Sequence, residues 1–145
     1  MLGDISIATD IYIVTGYTDM RKSIDGLCAI IASQLKEEPR GHTLYMFCGK
    51  RCDRIKVLLR EPDGFVLLYK RLDVVQGRYR WPRNKSEVKP ITWQQFDWLM
   101  SGLEIEQPKA LITEYSDAIV HLFRKFRAPF SGKAVHTFPK RSAVI

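Results

Sequence analysis

Short hydrophobic runs, separated by turn-forming residues, mark out the first half of this chain. Ile11–Val14 is rich in β-branched and aromatic residues and stops before Gly16. Three more runs of strand length follow at Thr43–Cys48, Asp53–Arg60 and Phe65–Leu72. Such runs are typical of β-strands, in which successive side chains point to opposite faces of a sheet. The pattern therefore predicts four strands.

The segment between the last two runs has the composition of a tight turn. In Glu61–Gly64, Pro62 presets a turn angle and Gly64 accepts a positive φ. Strands joined so closely pair in antiparallel fashion, which predicts an antiparallel meander. The alternation returns in Arg78–Trp81 and stops at Pro82, so this segment is a candidate for a further strand.

Apolar residues spaced three and four apart predict a first helix over Ile24–Leu35. Thr18 or Asp19 precedes this helix and can cap its first free amides. Glu38–Gly41 ends the pattern. We expect one buried face on this helix, with Cys28 on it as a small hydrophobic residue.

Two more helices are predicted in the second half of the chain. Thr92 caps the first of them, Gln95 occupies the reciprocal position of a capping box, and an apolar stripe continues to Leu103. Residues 111–126 repeat the helical spacing and end in a cluster of cations. Residues 128–145 mix Pro, Gly, Ser and Lys without a period, which predicts a basic, flexible tail.

At 145 residues, of which 46% are hydrophobic, the chain can bury one core and is short for two. We therefore expect a single α+β domain over residues 1–127, with an antiparallel β-meander of four to five strands packed with two to three α-helices. No apolar stretch approaches the roughly 20 residues of a membrane span, and the N-terminus lacks the pattern of a secretory signal. These features, with only three cysteines, predict a cytoplasmic protein that does not bind membranes.

Positive charge is concentrated in the middle of the chain. The net charge is +7, but residues 1–49 carry −2, residues 50–89 carry +7 and residues 90–145 carry +2. A basic region of this kind is either a solvated face or a surface for a polyanion. Charge alone does not decide between the two.

The spacing of the cations favours a polyanion surface. In a strand, Arg54, Lys56 and Arg60 would point to one face, and Arg78 and Arg80 would do the same in the segment further along. Adjacent strands would merge these side chains into one basic stripe. Such a stripe binds nucleic acid by releasing condensed counterions, whatever the base sequence.

Two aromatic residues alternate with these cations. Tyr79 and Trp81 could stack on unpaired bases, or they could fill the core on the opposite face of the strand. We favour the core, because the other face of the same segment already carries the charge.

The segment Asp19–Lys22 admits two interpretations. The start of a helix presents free amides and the positive end of its dipole, and Arg21 and Lys22 could complete a phosphate site there. Alternatively, Asp19 caps the helix and Arg21 pairs with a local acid. We favour the second interpretation.

No metal or catalytic centre is predicted. Cys48 and Cys52 are four residues apart, but a second Cys or His pair to complete a zinc site is missing nearby. A metal-dependent nuclease would need two or three converging carboxylates. The candidates, each of which also fits a cap, a turn or a strand end, are Asp19, Asp25, Asp53, Asp63 and Asp73.

Several ordered motifs of the chain match a known family. They are Tyr17–Leu27, Asp53–Leu58, Asp63–Phe65, Tyr69–Leu72 and Arg80–Pro82. Over about residues 11–103 the chain resembles the TnpB accessory protein, the second open reading frame product of insertion-sequence-66-type transposable elements. It does not resemble the RNA-guided nucleases of the same name. The resemblance implies an auxiliary protein that works beside a separate, larger transposase.

Charge and resemblance together predict a non-catalytic accessory protein that binds the DNA backbone without base specificity and takes no cofactor. Its expected partners are element ends or other duplex DNA, the transposase, and other proteins of the same element; the oligomeric state is left open. The alternative is an adaptor that binds the transposase and touches DNA little. The candidate nucleic-acid-binding residues are Arg21, Lys22, Lys50, Arg51, Arg54, Lys56, Arg60, Lys70, Arg71, Arg78, Arg80 and Arg83.

Overall fold

A five-stranded sheet with a helix on each face organises the computed structural model, which describes residues 2–73, 75 and 77–108. The strands are β1 Asp10–Val14, β2 Thr43–Cys48, β3 Arg54–Glu61, β4 Gly64–Arg71 and β5 Val88–Ile91. The helices are α1 Ile24–Leu35 and α2 Trp93–Met100, and a 3-10 turn covers Ile5–Ile7. Within these described residues no helix is long and apolar enough to cross a membrane.

The strands lie side by side in the order β4-β3-β2-β1-β5. The predicted meander is present, since β2, β3 and β4 pair in sequence and antiparallel. The α+β class and the mostly antiparallel sheet are thereby confirmed. The pairing of β1 with β2 differs from the prediction, because these strands run parallel, with α1 in the connection between them. A parallel pair needs such a crossover, whereas an antiparallel pair can be joined by a turn.

One face of the sheet packs against α1. The strand register places Tyr12, Tyr45 and Leu58 side by side on this face. Leu27 and Ile31 of α1 are fully buried against it. The predicted buried face of the first helix is therefore confirmed, and half-buried Cys28 lies beside the same cluster.

The other face packs against α2 and the segment that precedes β5. Trp93 and Phe96 of α2 join the core there. Tyr79 and Trp81 are also buried in it, which confirms the core interpretation of these two rings over base stacking. The indole Nε1 of Trp81 donates a 2.9 Å hydrogen bond to the carbonyl of Val14, at the end of β1.

The fifth strand is not the one considered from the sequence. Arg78–Trp81 does not form a strand; it is an irregular segment whose Tyr79 amide donates to the Cys52 carbonyl at 2.7 Å. The fifth strand is instead Val88–Ile91, antiparallel to β1 at the edge of the sheet. Pro90 is tolerated there because an edge strand needs ladder bonds on one side only.

The start of α1 also differs from the prediction. Ser23, not Thr18 or Asp19, occupies the N-cap position, and its side chain makes no capping hydrogen bond. The Thr18 amide bonds to the Cys48 carbonyl at 2.8 Å, and the Asp19 carboxylate bonds to Arg21. Both candidate caps therefore lie in the turn that precedes the N-cap residue Ser23.

The capping box of α2 is confirmed: the Thr92 hydroxyl accepts from the Gln95 amide, and the Gln95 side chain accepts from the Thr92 amide. The helix ends at Met100, and Leu103 is 44% exposed, so the predicted stripe extends too far.

The predicted third helix and basic tail fall in residues 109–145, outside the described part of the chain.

A candidate nucleic-acid interface at one end of the sheet

The strand directions bring most of the candidate cations to one end of the sheet. β1, β2 and β4 finish there, and β3 and β5 start there. Ten cations lie in the described connections at this end or at the strand tips, and we call the set the basic end. Its members are Arg21, Lys22, Lys50, Arg51, Arg54, Arg71, Arg78, Arg80, Arg83 and Lys85.

The basic end carries fewer acids than cations. Asp19, Asp53, Asp73 and Glu87 lie in the connections that supply its cations, Asp25 follows in the first turn of α1, and Glu104 and Glu106 line a cleft together with three of its arginines. At the opposite end of the strands the balance is reversed, and we call that the acidic end. Six acids lie in its connections or at its strand tips, against Lys36 and Arg40, with Arg60 next to the tip of β3. These acids are Asp4, Asp10, Glu37, Glu38, Glu61 and Asp63. The domain is thus electrically polarised along its strands, which orients it in the field of a charged partner.

Backbone hydrogen bonds hold the connections of the basic end together. Thr18, in the connection after β1, donates its amide to Cys48 at the end of β2. The turn after β2 is closed by the Gly49 amide, which donates to the Arg54 carbonyl at 3.1 Å. The Leu72 amide, just after β4, donates to the Asp53 carbonyl at 2.8 Å. The connections are therefore fixed relative to one another by main-chain contacts.

The connection that leads to β5 crosses the end of β1. Gly16 has φ +75°, and its amide donates to the Pro82 carbonyl at 2.9 Å. The Thr15 hydroxyl is buried and donates to the Lys85 carbonyl at 2.7 Å. These bonds hold the segment that carries Arg80 and Arg83 against the sheet.

This segment forms one wall of a cleft of about 710 Å³. Arg78, Arg80 and Arg83 line that wall, and residues 104–106 with Lys89 line the other. The Gln95 Nε2 donates to the Ile105 carbonyl at 3.1 Å, which ties the second wall to α2. The cleft is mixed in charge, since Glu104 and Glu106 face the arginines and Glu106 lies 3.9 Å from the Lys89 Nζ.

Three candidate residues fall outside the ten of the basic end, although Lys56 and Lys70 lie next to it. Lys56 is half-buried on the α1 face, where its Nζ donates to the Lys22 carbonyl at 2.6 Å. Arg60 lies near the acidic end, with its guanidinium bonded to the Pro39 carbonyl at 3.1 Å. Lys70 is exposed and, by register, belongs to the α2 face.

The predicted basic stripe is therefore correct only in part. Arg54, Lys56 and Arg60 do share one face of β3, as the alternation predicts. That face is the one packed against α1, and Arg78 and Arg80 are not in an adjacent strand that could extend it. Cations collect at the strand ends rather than along the strands. Lys85 belongs to this set and was missed among the candidates, although it lies within the region of excess charge.

Asp19 and Arg21 form an exposed local ion pair. The Arg21 Nη2 lies 2.8 Å from the Asp19 Oδ2, and the Arg21 amide donates to the Asp19 Oδ1 at 2.9 Å. These side-chain and main-chain hydrogen bonds lower the pKa of Asp19 to about 2. Local pairing of Arg21 is confirmed, while capping by Asp19 is wrong.

The carboxylates considered for a nuclease do not converge. Asp63 lies in the turn at the acidic end, whereas Asp19 and Asp53 lie at the basic end, each beside an arginine. Over residues 2–73, 75 and 77–108, no group of three or more His, Cys, Asp or Glu side chains is arranged to hold a metal ion. The neighbouring thiols Cys48 and Cys52 are buried in the core, and burial raises the pKa of Cys48 well above its usual range.

Comparison with known proteins identifies the family. A family model described as IS66 Orf2 like protein matches residues 9–110. The chain belongs to this family. Two relatives from Sinorhizobium fredii are uncharacterized proteins. The protein y4hO is 32% identical over 68% of this chain and 84% of its own length, and y4jC is 29% identical over 65% of this chain and 79% of its own length. No solved structure matches the chain. The family places this IS66 Orf2-like protein among accessory proteins associated with transposition.

Proposed function

We propose that this chain is a non-catalytic accessory protein of transposition that binds the DNA backbone through the basic end and thereby assists a separate transposase. Family membership supports the link to transposition. The observation that carries the DNA-binding proposal is the charge polarity of the fold. Ten cations lie at one end of the strands, where they outnumber the acids, and the opposite end has an excess of acids.

A surface of this kind binds DNA by neutralising phosphates and releasing condensed counterions. Lys50 and Arg51 are exposed in the turn after β2, and Arg80 and Arg83 are exposed in the connection to β5. Because main-chain hydrogen bonds fix these connections, less conformational entropy is lost when the cations meet phosphates. The fixed main chain keeps these cations together at one end of the sheet.

The expected mode of binding is independent of base sequence. Both described helices bury one face against the sheet, and the basic end consists of connections and strand tips. Base reading normally requires a helix or ribbon inserted into a groove. Selection of element ends would then come from the transposase, with this protein adding affinity.

Two matched charge reversals test the proposal. Lys50→Glu at the basic end and Lys36→Glu at the acidic end change the net charge equally, and both lysines are exposed. Binding to fluorescent element-end duplex and scrambled duplex is measured by anisotropy across a salt series. We expect wild-type affinity to fall with salt with a log-log slope of about −4 to −6. Lys50→Glu should weaken binding about tenfold to both duplexes and make the slope shallower by about one to two, whereas Lys36→Glu should change affinity less than about twofold.

Equal losses in the two variants would show that net charge, not the basic end, governs binding. Absence of duplex binding until the transposase is added would overturn the proposal in favour of the adaptor alternative. In that case, the complex with the transposase should persist after nuclease treatment. Lys50→Glu would then weaken binding to the transposase rather than to DNA.

A further inference from the structure

The outer edge of β4 is open in the described part of the chain. β4 is the terminal strand in the order β4-β3-β2-β1-β5, and β3 alone pairs with it among residues 2–73, 75 and 77–108. All eight of its residues, Gly64–Arg71, pair one-to-one with β3, so no bulge twists the edge away. The backbone groups on the outer side are a template for another strand.

The other edge of the same sheet has features that block such pairing. β5 has four residues, half the length of β4, and includes Pro90, which lacks an amide proton. Short strands and prolines are common ways of protecting a sheet edge. The contrast indicates that β4 is free to pair where β5 is not.

The side chains of β4 also suit an interface. Phe65, Val66 and Leu67 are half-buried, and Leu68 and Tyr69 are 36% and 53% exposed, so apolar surface lies on both faces of the strand. An open strand with apolar residues on both faces is an association site unless it is covered. Its charges decide which partner fits, because Asp63 precedes the strand and Lys70 and Arg71 end it.

We propose that the open edge of β4 pairs antiparallel with β4 of a second copy of this chain, with Leu67 opposite Leu67. In antiparallel pairs, opposite residues share a face, so a two-fold axis at Leu67 places Phe65 opposite Tyr69 of the other copy. The same register brings Asp63 of each copy beside Arg71 of the other. Acid then meets cation at both ends of the paired strands.

Other registers lose this complementarity. A shift of two residues in either direction separates Asp63 from Arg71, and a parallel pairing places Lys70 and Arg71 beside their own copies, where like charges repel. Because Pro90 blocks the far edge of each sheet, association stops at two copies and forms a continuous sheet of two five-stranded halves. The basic ends of the two copies then face opposite directions, since the paired strands run antiparallel.

The test is a charge swap on the full chain, read by sedimentation over about a hundredfold range of concentration without DNA. Arg71→Asp places two acids together in the dimer, and Asp63→Arg places two cations together. We expect each single variant to dissociate at least about tenfold more readily than wild type. An equimolar mixture of the two should dimerise again, because each contact then joins an acid to a cation, and the doubly substituted chain should also dimerise.

Lys50→Glu is the matched control, since it lies outside β4 and should leave dimerisation unchanged. Circular dichroism confirms that each variant is folded. A monomeric wild type, single variants that dimerise like wild type, or a mixture that fails to recover would each overturn the pairing. Because DNA is absent, these outcomes are distinct from failure of the DNA-binding proposal.

Discussion

The amide of Thr18 donates a 2.8 Å hydrogen bond to the carbonyl of Cys48. This bond joins the connections that follow β1 and β2, two strands that end together because they run parallel. It brings the segment carrying Arg21 and Lys22 next to the turn carrying Lys50. The parallel pair is therefore the topological origin of the basic end, since an antiparallel β1 would send its connection to the opposite end.

Gly16 should be sensitive to substitution. Its φ of +75° is unfavourable for residues with a Cβ, and an added Cβ would lie 3.2 Å from the Asn84 carbonyl oxygen. We expect Gly16→Ala to lower the free energy of unfolding by about 1–3 kcal/mol, measured by urea denaturation. Gly41→Ala is the control, because a Cβ there would have open space and an ordinary φ. If the two variants are equally stable, backbone strain at Gly16 is not significant.

The sequence predicted the elements whose signals are local. β2 has the bounds predicted from its hydrophobic run, and Thr92 and Gln95 form the expected capping box, because both features depend on a few adjacent residues. β5 was missed because Pro90 in a four-residue run is a signal against a strand. The parallel pairing of β1 and β2 was missed because hydrophobic alternation identifies strands without giving their order or direction.

The candidate site was predicted as a set of residues and not as an arrangement. Nine of the twelve candidate cations lie at the basic end, because excess charge along the chain is visible in the sequence. Lys56, Arg60 and Lys70 could not be separated from them, since their positions depend on where α1 packs and where β3 and β4 end. Arg78–Trp81 resembled a strand because an irregular segment that buries two rings and exposes two cations shows the same alternation.

Removal of the Tyr79 hydroxyl should stabilise the protein. The ring is buried, and its hydroxyl lacks a hydrogen-bond partner in the described structure. Because an unpaired buried hydroxyl costs about 1–3 kcal/mol, we expect Tyr79→Phe to raise the free energy of unfolding by about 1 kcal/mol. Tyr45→Phe is the matched control. The Tyr45 hydroxyl accepts a 3.0 Å hydrogen bond from the Arg40 amide. Loss of this hydroxyl should therefore lower the free energy of unfolding by about 1 kcal/mol.

Gln95 joins the start of α2 to the second wall of the cleft. Its Oε1 accepts from the Thr92 amide at 2.9 Å, and its Nε2 donates to the Ile105 carbonyl. We expect Gln95→Ala to lower the free energy of unfolding by about 1–2 kcal/mol, since two bonds are lost. Gln95→Glu keeps the capping acceptor but loses the donor to Ile105, so it should lower the free energy of unfolding by less than Gln95→Ala does. If thermal or urea unfolding shows the same decrease for both variants, the cap contributes little to stability.

Asp19 should titrate at an unusually low pH because of Arg21. The pKa of Asp19 is about 2, below its ordinary value of 3.8. In Arg21→Ala we expect this pKa to rise part of the way towards 3.8, because the main-chain amide at position 21 still bonds to the carboxylate. A carbon-detected NMR titration of the side-chain carboxyl measures both values. An unchanged pKa would contradict the pairing.

The sign of this shift fixes its effect on stability. A carboxyl group whose pKa is lower in the folded state than in the unfolded state stabilises the fold above the unfolded value. That contribution is fully present above about pH 3.8 and is lost as pH falls through about 2. Asp19 is therefore fully charged near neutral pH, where DNA binding is measured, and its pair with Arg21 is intact.

Asp19 should oppose DNA binding at neutral pH. It is one of the acids of the basic end, and it holds the Arg21 guanidinium at 2.8 Å, away from a phosphate. We expect Asp19→Asn to raise duplex affinity by about threefold and to steepen the log-log salt slope by up to about 0.9, corresponding to one more neutralised phosphate. Asp10→Asn makes the same charge change at the acidic end and should alter affinity little. An equal gain of duplex affinity in the two variants would show that net charge alone governs binding. A lower duplex affinity in Asp19→Asn would show that the ion pair orders this connection for binding.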